Sequence, residues 1–383
     1  MFSRAAFTFL LIATGADNLA AKDPWQIRER PGSFVGAVGC KSSSCHGGAG
    51  PKRSQYITWS QKDYHTKAYA VLFNARSTRI AEGLGLPSAS TNARCTVCHS
   101  PFQSVEPTRL SPTAHPDEGV SCETCHGAAG GWLRGHTRSD WTYNTRVAAG
   151  MRDLRNLYLR ANACVACHQN LAPDLLHAGH PDIFFELDGQ SVSEPKHWAD
   201  PEPWSGLRQW LTGQAVALRE MSWARANDPK PDEWSDARWN GLAWLCATVT
   251  SSANVVSPVT SPPDNPGRFD FNNSQTQADA LARRAAVFNW TDGSARSLLN
   301  ALASIEGEFA GSKVAAPLLG QRAKRLVLAL DRLTNAIGQN RGTPLKVDDE
   351  LNLLFQDVRT LDAFDANSFA IHLKSFHAAL GQK

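Results

Sequence analysis

The sequence lacks a strong charge of either sign, because 39 lysine and arginine residues face 36 aspartate and glutamate residues among 383 positions. A net charge of +3 gives no electrostatic basis for binding nucleic acid, which requires a pronounced basic surface. Long apolar runs are also scarce, and none beyond the N-terminal stretch is apolar enough to cross a bilayer. We therefore expect no nucleic-acid partner and no membrane insertion beyond that stretch.

The N-terminus has the pattern of an export signal. Arg4 precedes an apolar stretch from Ala5 to Thr14, and small residues follow up to Ala20 and Ala21. The apolar stretch is about half of the ~20 residues that span a bilayer, which argues against an uncleaved anchor. The sequence predicts a signal peptide over residues 1–21 and a mature chain in the periplasm or otherwise exported.

Strand-like alternation is nearly absent, and the composition changes near position 200. Residues 22–200 are rich in Gly, Cys, His and Pro and contain few aliphatic residues for a core. Helices are predicted there only around Gln55–Phe73 and Met151–Ala161. Residues 201–383 are predicted to form a helical domain.

That second part contains helical patterns rich in Ala, Leu and Trp. They cover Trp204–Arg225, Ala237 to about Val255, Gln275–Phe288, Ala295–Ile305, Pro317–Ile337 and Glu350–Leu380. The proline-rich stretch Ser257–Asn273 is predicted to be a loop. The predicted fold class is mainly α, with a first domain of little regular structure followed by an α-helical bundle.

The chain has nine cysteines and twelve histidines, and eight of the cysteines form four pairs in the first part. Three of these pairs have the form C-x-x-C-H, namely Cys95-Thr-Val-Cys98-His99, Cys122-Glu-Thr-Cys125-His126 and Cys164-Val-Ala-Cys167-His168. Two thiols about one helical turn apart can bond the two vinyl groups of one porphyrin, and the adjacent His can then ligate the iron. These motifs predict c-type haem attachment.

A fourth pair has a longer spacing, in Cys40-Lys-Ser-Ser-Ser-Cys45-His46. The following Gly47 and Gly48 give the loop the flexibility to present both sulfurs. Disulfides and zinc sites are the alternatives for all four pairs, but neither requires a His after every second Cys. The sequence therefore predicts four covalently bound haem c groups, each with a motif histidine as its proximal iron ligand.

Six further histidines of the first part compete for the four remaining iron positions. They are His65, His115, His136, His177, His180 and His197. A haem that only carries electrons has two protein ligands, whereas one that binds a substrate keeps a position open. The assignment of these histidines therefore bears directly on function.

Residues 38–180 resemble the tetrahaem cytochrome c-554 family. The resemblance rests on the segment Gly119–Gly127 around the third motif, on His136 in Arg-Gly-His-Thr ten residues later, and on the helix Trp59–Ala68 after the first motif. It implies that His136 ligates the first haem and His65 the third. We assign His180 to the fourth haem.

The second haem can be five-coordinate in that family, so its sixth position stays open here. Either His115 reaches it, or a small molecule can bind there. The resemblance favours an exported tetrahaem electron carrier that acts between redox partner proteins and has no catalytic residues. The alternative is an oxidoreductase that acts on a small nitrogen or sulfur compound at a five-coordinate haem.

The ninth cysteine, Cys246, has neither a second Cys nor a His beside it. It is either the remnant of a lost attachment site or a buried apolar residue. His372 and His377 lie on a helix with an apolar face, and we expect them to be structural. The many tryptophans of the second part are expected to pack in its core.

Overall fold

The computed structural model describes residues 32–169, 171–200, 203–228, 232–252 and 257–381. These residues are mainly α-helical and contain no β-strand, only a parallel bridge between Phe34 and Leu110. The predicted signal peptide lies outside the described residues and stays a prediction. No helix in the described ranges is both long enough and apolar enough to span a bilayer.

The first part of the chain has short helices separated by turns. They are α1 (Gln55–Lys62), α2 (Ala75–Gly83), α3 (Ala93–His99), α4 (Cys122–His126), α5 (Tyr143–Ala148), α6 (Leu157–His168), α7 (Pro173–His177) and α8 (Leu187–Ser193). The 3-10 turns between them are Ala37–Cys40, Tyr64–Lys67, Ala70–Phe73, Pro101–Ser104, Pro107–Arg109, Pro116–Glu118 and Gly135–Thr137.

The second part has longer helices. They are α9 (Ser205–Asn227), α10 (Glu233–Ser252), α11 (Arg268–Ala285), α12 (Asp292–Ala303), α13 (Ala316–Arg341), α14 (Asp348–Asp357) and α15 (Ala366–Leu380). Helix α9 packs along α11, and α10 packs along α13. Two 3-10 turns, Glu306–Glu308 and Leu361–Ala363, lie between the later helices.

The apolar cores of the two parts differ in size. The larger core joins α9 to α15 and includes Trp210 and Trp239, each 1% exposed. Trp210 and Trp239 therefore pack in the bundle, with the Trp239 indole N–H donating to Ser222 Oγ at 2.8 Å, whereas Trp234 is 48% exposed and lies outside the core. The first part has only two small clusters, one around Phe34 and Phe102 and one around Leu72. Its aliphatic core is as thin as its composition suggests.

The bundle core also extends back into the first part. Ala161 and Val165 of α6 and Leu187 of α8 belong to it, and each is at most 2% exposed. At the same contact, Arg219 of α9 forms an ion pair with Asp279 at 2.7 Å and donates to the Tyr158 hydroxyl at 3.1 Å. The helix that carries the fourth motif is thus built into the bundle.

Four predicted segments differ from the structure. The helix predicted over 151–161 begins only at Leu157, because the Asn156 side chain caps it there. The helix predicted over 55–73 is interrupted at Asp63, where the backbone is extended and the carboxylate accepts from the backbone N–H of His65. The predicted helix 350–380 is two helices, α14 and α15. The predicted loop 257–273 ends early, because α11 begins at Arg268, with the Asp270 carboxylate accepting from the Gly267 N–H at 2.8 Å.

Candidate haem-binding sites

Each C-x-x-C-H motif lies on a helix that ends at the motif histidine. This holds for His99 of α3, His126 of α4 and His168 of α6. One helical turn separates the two cysteines, so both thiols lie on the same side of the helix. We call the four motifs with their histidines the first, second, third and fourth sites, in chain order.

The first site has a different local structure, because its thiols are farther apart in sequence. The backbone N–H of His46 donates to the carbonyl of Cys40 at 3.2 Å, which closes the loop between the cysteines. A Cβ at Gly47 would lie 1.8 Å from the carbonyl oxygen of Lys41, so only glycine fits there. The loop thereby brings Cys40, Cys45 and His46 to one place. None of the nine cysteines, all of which are described, forms a disulfide.

Each of the four motif histidines faces a second histidine ring. The distances between ring centres are 6.1 Å for His46 and His136, 6.2 Å for His99 and His180, 6.3 Å for His126 and His197, and 6.0 Å for His65 and His168. A metal between two imidazoles, with about 2 Å to each nitrogen and about 1.1 Å from nitrogen to ring centre, separates the ring centres by about 6.2 Å. The spacing fits axial ligation of one iron by each pair.

The pairing agrees with the sequence assignment at the first site and differs at the other three. His136 faces His46, as the resemblance implies. His65 faces His168 of the fourth site instead of the third, and His180 faces His99 of the second site instead of the fourth. The third site is faced by His197.

The reason for the different position of His65 lies in its hydrogen bonds. Its backbone does lie beside the third site, because the Val120 N–H donates to the His65 carbonyl at 3.0 Å. Its ring turns toward His168, however, because Nδ1 lies 3.0 Å from Asp63 Oδ1 and 3.3 Å from Glu194 Oε2. The backbone of His65 therefore lies beside the third site, while its side chain belongs to the fourth.

His197 is a candidate ligand to which the sequence analysis gave no assignment. It lies beyond residue 180, where the resemblance ends, so nothing in that resemblance pointed to it. The sequence did contain one signal that could have found it. The first part has six further histidines for four remaining iron positions, so more candidates were available than the assignment used. His115 takes a structural position, with its backbone N–H donating to Glu118 Oε1 at 3.1 Å at the start of a 3-10 turn.

Hydrogen bonds at Nδ1 orient most of the paired rings. The acceptor is the carbonyl of Ala68 for His99, of Leu133 for His136, of Pro181 for His180 and of Pro195 for His197, and it is the side-chain amide of Gln55 for His46. A carbonyl can only accept, so Nδ1 carries the proton and the lone pair is on Nε2. That is the tautomer that a metal requires when Nε2 is the ligand.

The charge state of two buried motif histidines also suits metal ligation, because a neutral imidazole has a free lone pair. Burial, together with the charge of nearby histidines, lowers the pKa of His126 and of His168 to about 4. Burial alone would lower the pKa of His65 too, but hydrogen bonds to Asp63 and Glu194 raise it to about 10. The two carboxylates therefore favour the protonated form of the His65 ring when no metal is bound, unlike His126 and His168.

The four sites are adjacent to one another. The Cys40 thiol of the first site and the Cys122 thiol of the third site interact, and this lowers the pKa of Cys40 and raises that of Cys122. Glu123, 1% exposed, lies within the third motif and accepts from the backbone N–H groups of Val35 and Gly36, just before the first motif. The turn that carries His65 also supplies the Ala68 carbonyl that orients His99, so the second and fourth sites share one segment.

Comparison with known proteins gives one family. Residues 28–127 match the model described as cytochrome c554 and c-prime, a segment that contains the first three motifs. The comparisons with curated proteins and with solved structures each gave no significant match. Residues 28–127 are therefore similar to cytochrome c554 and c-prime, and this similarity supports a c-type cytochrome with covalently bound haem c that takes part in electron transfer.

Proposed function

We propose that this protein is an exported electron carrier with four haem c groups, each held by two cysteines and ligated by two histidines. The observation that carries the proposal is the set of four histidine pairs with ring centres 6.0 to 6.3 Å apart. The distal ligands are His136, His180, His197 and His65 for the first to fourth sites. Redox proteins are the partners we expect.

The same geometry argues against catalysis at a haem. A haem that activates a small molecule keeps one iron position open. Each motif histidine has a histidine opposite, including His99 of the second site, where an open position was the alternative. The proposal of an oxidoreductase acting on a small nitrogen or sulfur compound therefore has no supporting contact among the described residues.

The protein's own contribution is to hold the sites close together and to keep them rigid. When bound, haem iron supplies a one-electron couple between its two oxidation states. Two ligands that stay bound in both states leave little to rearrange during transfer. The contact between Cys40 and Cys122 and the shared turn at residues 63–68 keep neighbouring sites adjacent. Short separations between sites favour passage of electrons along the protein.

The first experiment measures stoichiometry and ligation in the purified holoprotein. Intact mass and a pyridine haemochrome assay should both give four haems per chain. The double variant Cys40→Ser/Cys45→Ser should give three. Three haems in the wild-type protein would remove the first motif as an attachment site.

The second experiment separates a carrier from an enzyme. We expect the reduced wild-type protein to bind no carbon monoxide, because all four irons have two protein ligands. Binding of one equivalent, together with steady turnover of nitric oxide, hydroxylamine or nitrite, would overturn the carrier proposal. Export is tested separately by sequencing the N-terminus of the periplasmic fraction, where the mature chain should begin near Lys22.

A further inference from the structure

Carboxylate oxygens contact the ring of one paired histidine, His65. Its Nδ1 lies 3.0 Å from Asp63 Oδ1 and 3.3 Å from Glu194 Oε2. In five other paired histidines Nδ1 meets a neutral oxygen, namely in His46, His99, His136, His180 and His197. The fourth site therefore has an electrostatic environment that these five rings do not share.

The two carboxylates come from different elements and are partly shielded from water. Asp63 is 5% exposed and lies in the extended residue between α1 and the following turn, where its carboxylate also accepts from the His65 N–H at 2.8 Å. Glu194 directly follows α8, and its side chain is 22% exposed. Burial weakens dielectric screening, so their charge acts on the fourth site more strongly than a surface charge would.

We propose that Asp63 and Glu194 make the fourth haem the most reducing of the four. This inference rests on the proposed function, since it requires an iron between His65 and His168. A carboxylate that accepts the Nδ1 proton increases the basicity of the imidazole at Nε2. A more basic ligand and nearby negative charge both stabilise ferric iron over ferrous iron, which lowers the reduction potential.

Glu123 and Glu118, two carboxylates close to the first and third motifs, do not occupy an equivalent position. Glu123 accepts from the backbone N–H groups of Val35, Gly36 and Ala129, and Glu118 accepts from those of Ala37 and His115. The negative charge of these two carboxylates therefore interacts with backbone N–H groups. Near the fourth site, Arg160 Nη1 forms an ion pair with Asp200 Oδ1 at 3.0 Å. The Asp200 carboxylate offsets the positive charge of Arg160.

The direction of electron flow within the protein follows from this difference. An electron that reaches the fourth haem moves to sites of higher potential, because transfer toward a higher potential is favourable. Asp63 and Glu194 are positioning residues that act through His65. They set where a strong reductant donates to the protein.

The experiment is a redox titration of holoproteins, followed by visible and EPR spectra. Asp63→Asn and Glu194→Gln keep the size and the hydrogen-bonding oxygen of each side chain but remove its charge. In the double variant we expect the lowest of the four potentials to rise, with at least a tenfold change in the reduction equilibrium of that haem, or about 60 mV for one electron. The other three potentials should move less.

A matched variant tests the reverse change at the first site. Gln55 Oε1 lies 3.1 Å from Nδ1 of His46, so Gln55→Glu places a carboxylate where the amide now is. We expect this substitution to lower one of the other potentials while leaving the lowest unchanged. Asp140→Asn, at a carboxylate that is 63% exposed and paired with Arg138, is the surface-charge control and should change none of the four.

The outcomes distinguish this inference from the proposed function. Four low-spin haems in every variant, with unchanged potentials in both Glu194→Gln and the double variant, would refute the role of the carboxylates and leave the carrier intact. Fewer than four haems, or a high-spin haem in the wild-type protein, would refute the proposed ligation itself. If Asp63→Asn does not fold, Glu194→Gln alone decides, since an unchanged lowest potential there contradicts the inference.

Discussion

Replacing His197 with alanine should convert one of four haems, the one at the third site, from low spin to high spin. The ring centres of His126 and His197 are 6.3 Å apart, which leaves room for one iron between the two rings. Alanine removes the whole imidazole from one side of that iron. The other histidines near His126 are His46 and His136, which already face each other at 6.1 Å. No neighbouring ring is therefore available to take the vacated position.

The size of the effect follows from the stoichiometry. One quarter of the haem iron should become high-spin, and the reduced variant should bind one equivalent of carbon monoxide where the wild-type protein binds none. The number of covalent haems should stay at four, because Cys122 and Cys125 are unchanged. EPR of the oxidised protein and titration of the reduced protein with carbon monoxide measure these two quantities.

Matched variants test the assignment of each histidine. His65→Ala should open the fourth site and leave the third intact, contrary to the pairing that the family resemblance implies. His115→Ala and His177→Ala should leave all four haems low-spin, because neither ring faces a motif histidine. If His197→Ala remains fully low-spin while His115→Ala or His65→Ala opens the third site, the pairing of His197 with His126 is wrong.

The remaining predictions concern spectra, stability and reactivity. The ring planes are 19° apart at the first site and 89° apart at the fourth, so the EPR spectrum should contain both a rhombic low-spin signal and a highly anisotropic one, and a single signal type would contradict these angles. Arg219→Ala should lower the free energy of unfolding by about 3 kcal/mol in denaturant titration, because Arg219 is 6% exposed and its loss removes a partner from both Glu220 and the half-buried Asp279. The control Arg283→Ala, at an arginine that is 59% exposed, should cost less than about 1 kcal/mol, and equal costs would refute the interface argument. Cys246 is 1% exposed and burial raises its pKa to about 12, so thiol reagents should label it only after unfolding, and rapid labelling of the native protein would contradict its burial.

The attachment motifs could be recognised from the sequence because their geometry is local. Two cysteines and a histidine within one helical turn lie near each other whatever the rest of the chain does, and α3, α4 and α6 place them so. The long helices of the second part were also predictable, since apolar residues recur at helical spacing from α9 onward. In both parts the errors fell at the ends of helices. In the first part, for example, the capping residue Asp63 interrupts a helix that the pattern favours.

Cys246 is a residue whose environment the sequence patterns did not decide. The sequence left open whether it was the remnant of a lost site or a buried apolar residue. The structure places it in the bundle core, in α10, with 1% of its surface exposed. It now packs as a small apolar side chain, and burial of this kind depends on neighbours from other helices.

The sequence by itself was enough to predict which residues attach haem and which histidine is proximal, because those relations lie within a few consecutive residues. Only the tertiary structure decided the second histidine of each pair. His136, His180, His197 and His65 approach their partners from distant parts of the chain, so their positions depend on how the turns between the motifs fold. The ring of His65 shows why sequence order fails as a guide. Its backbone bonds the segment before the third motif, yet the carboxylates of Asp63 and Glu194 turn its ring toward the fourth.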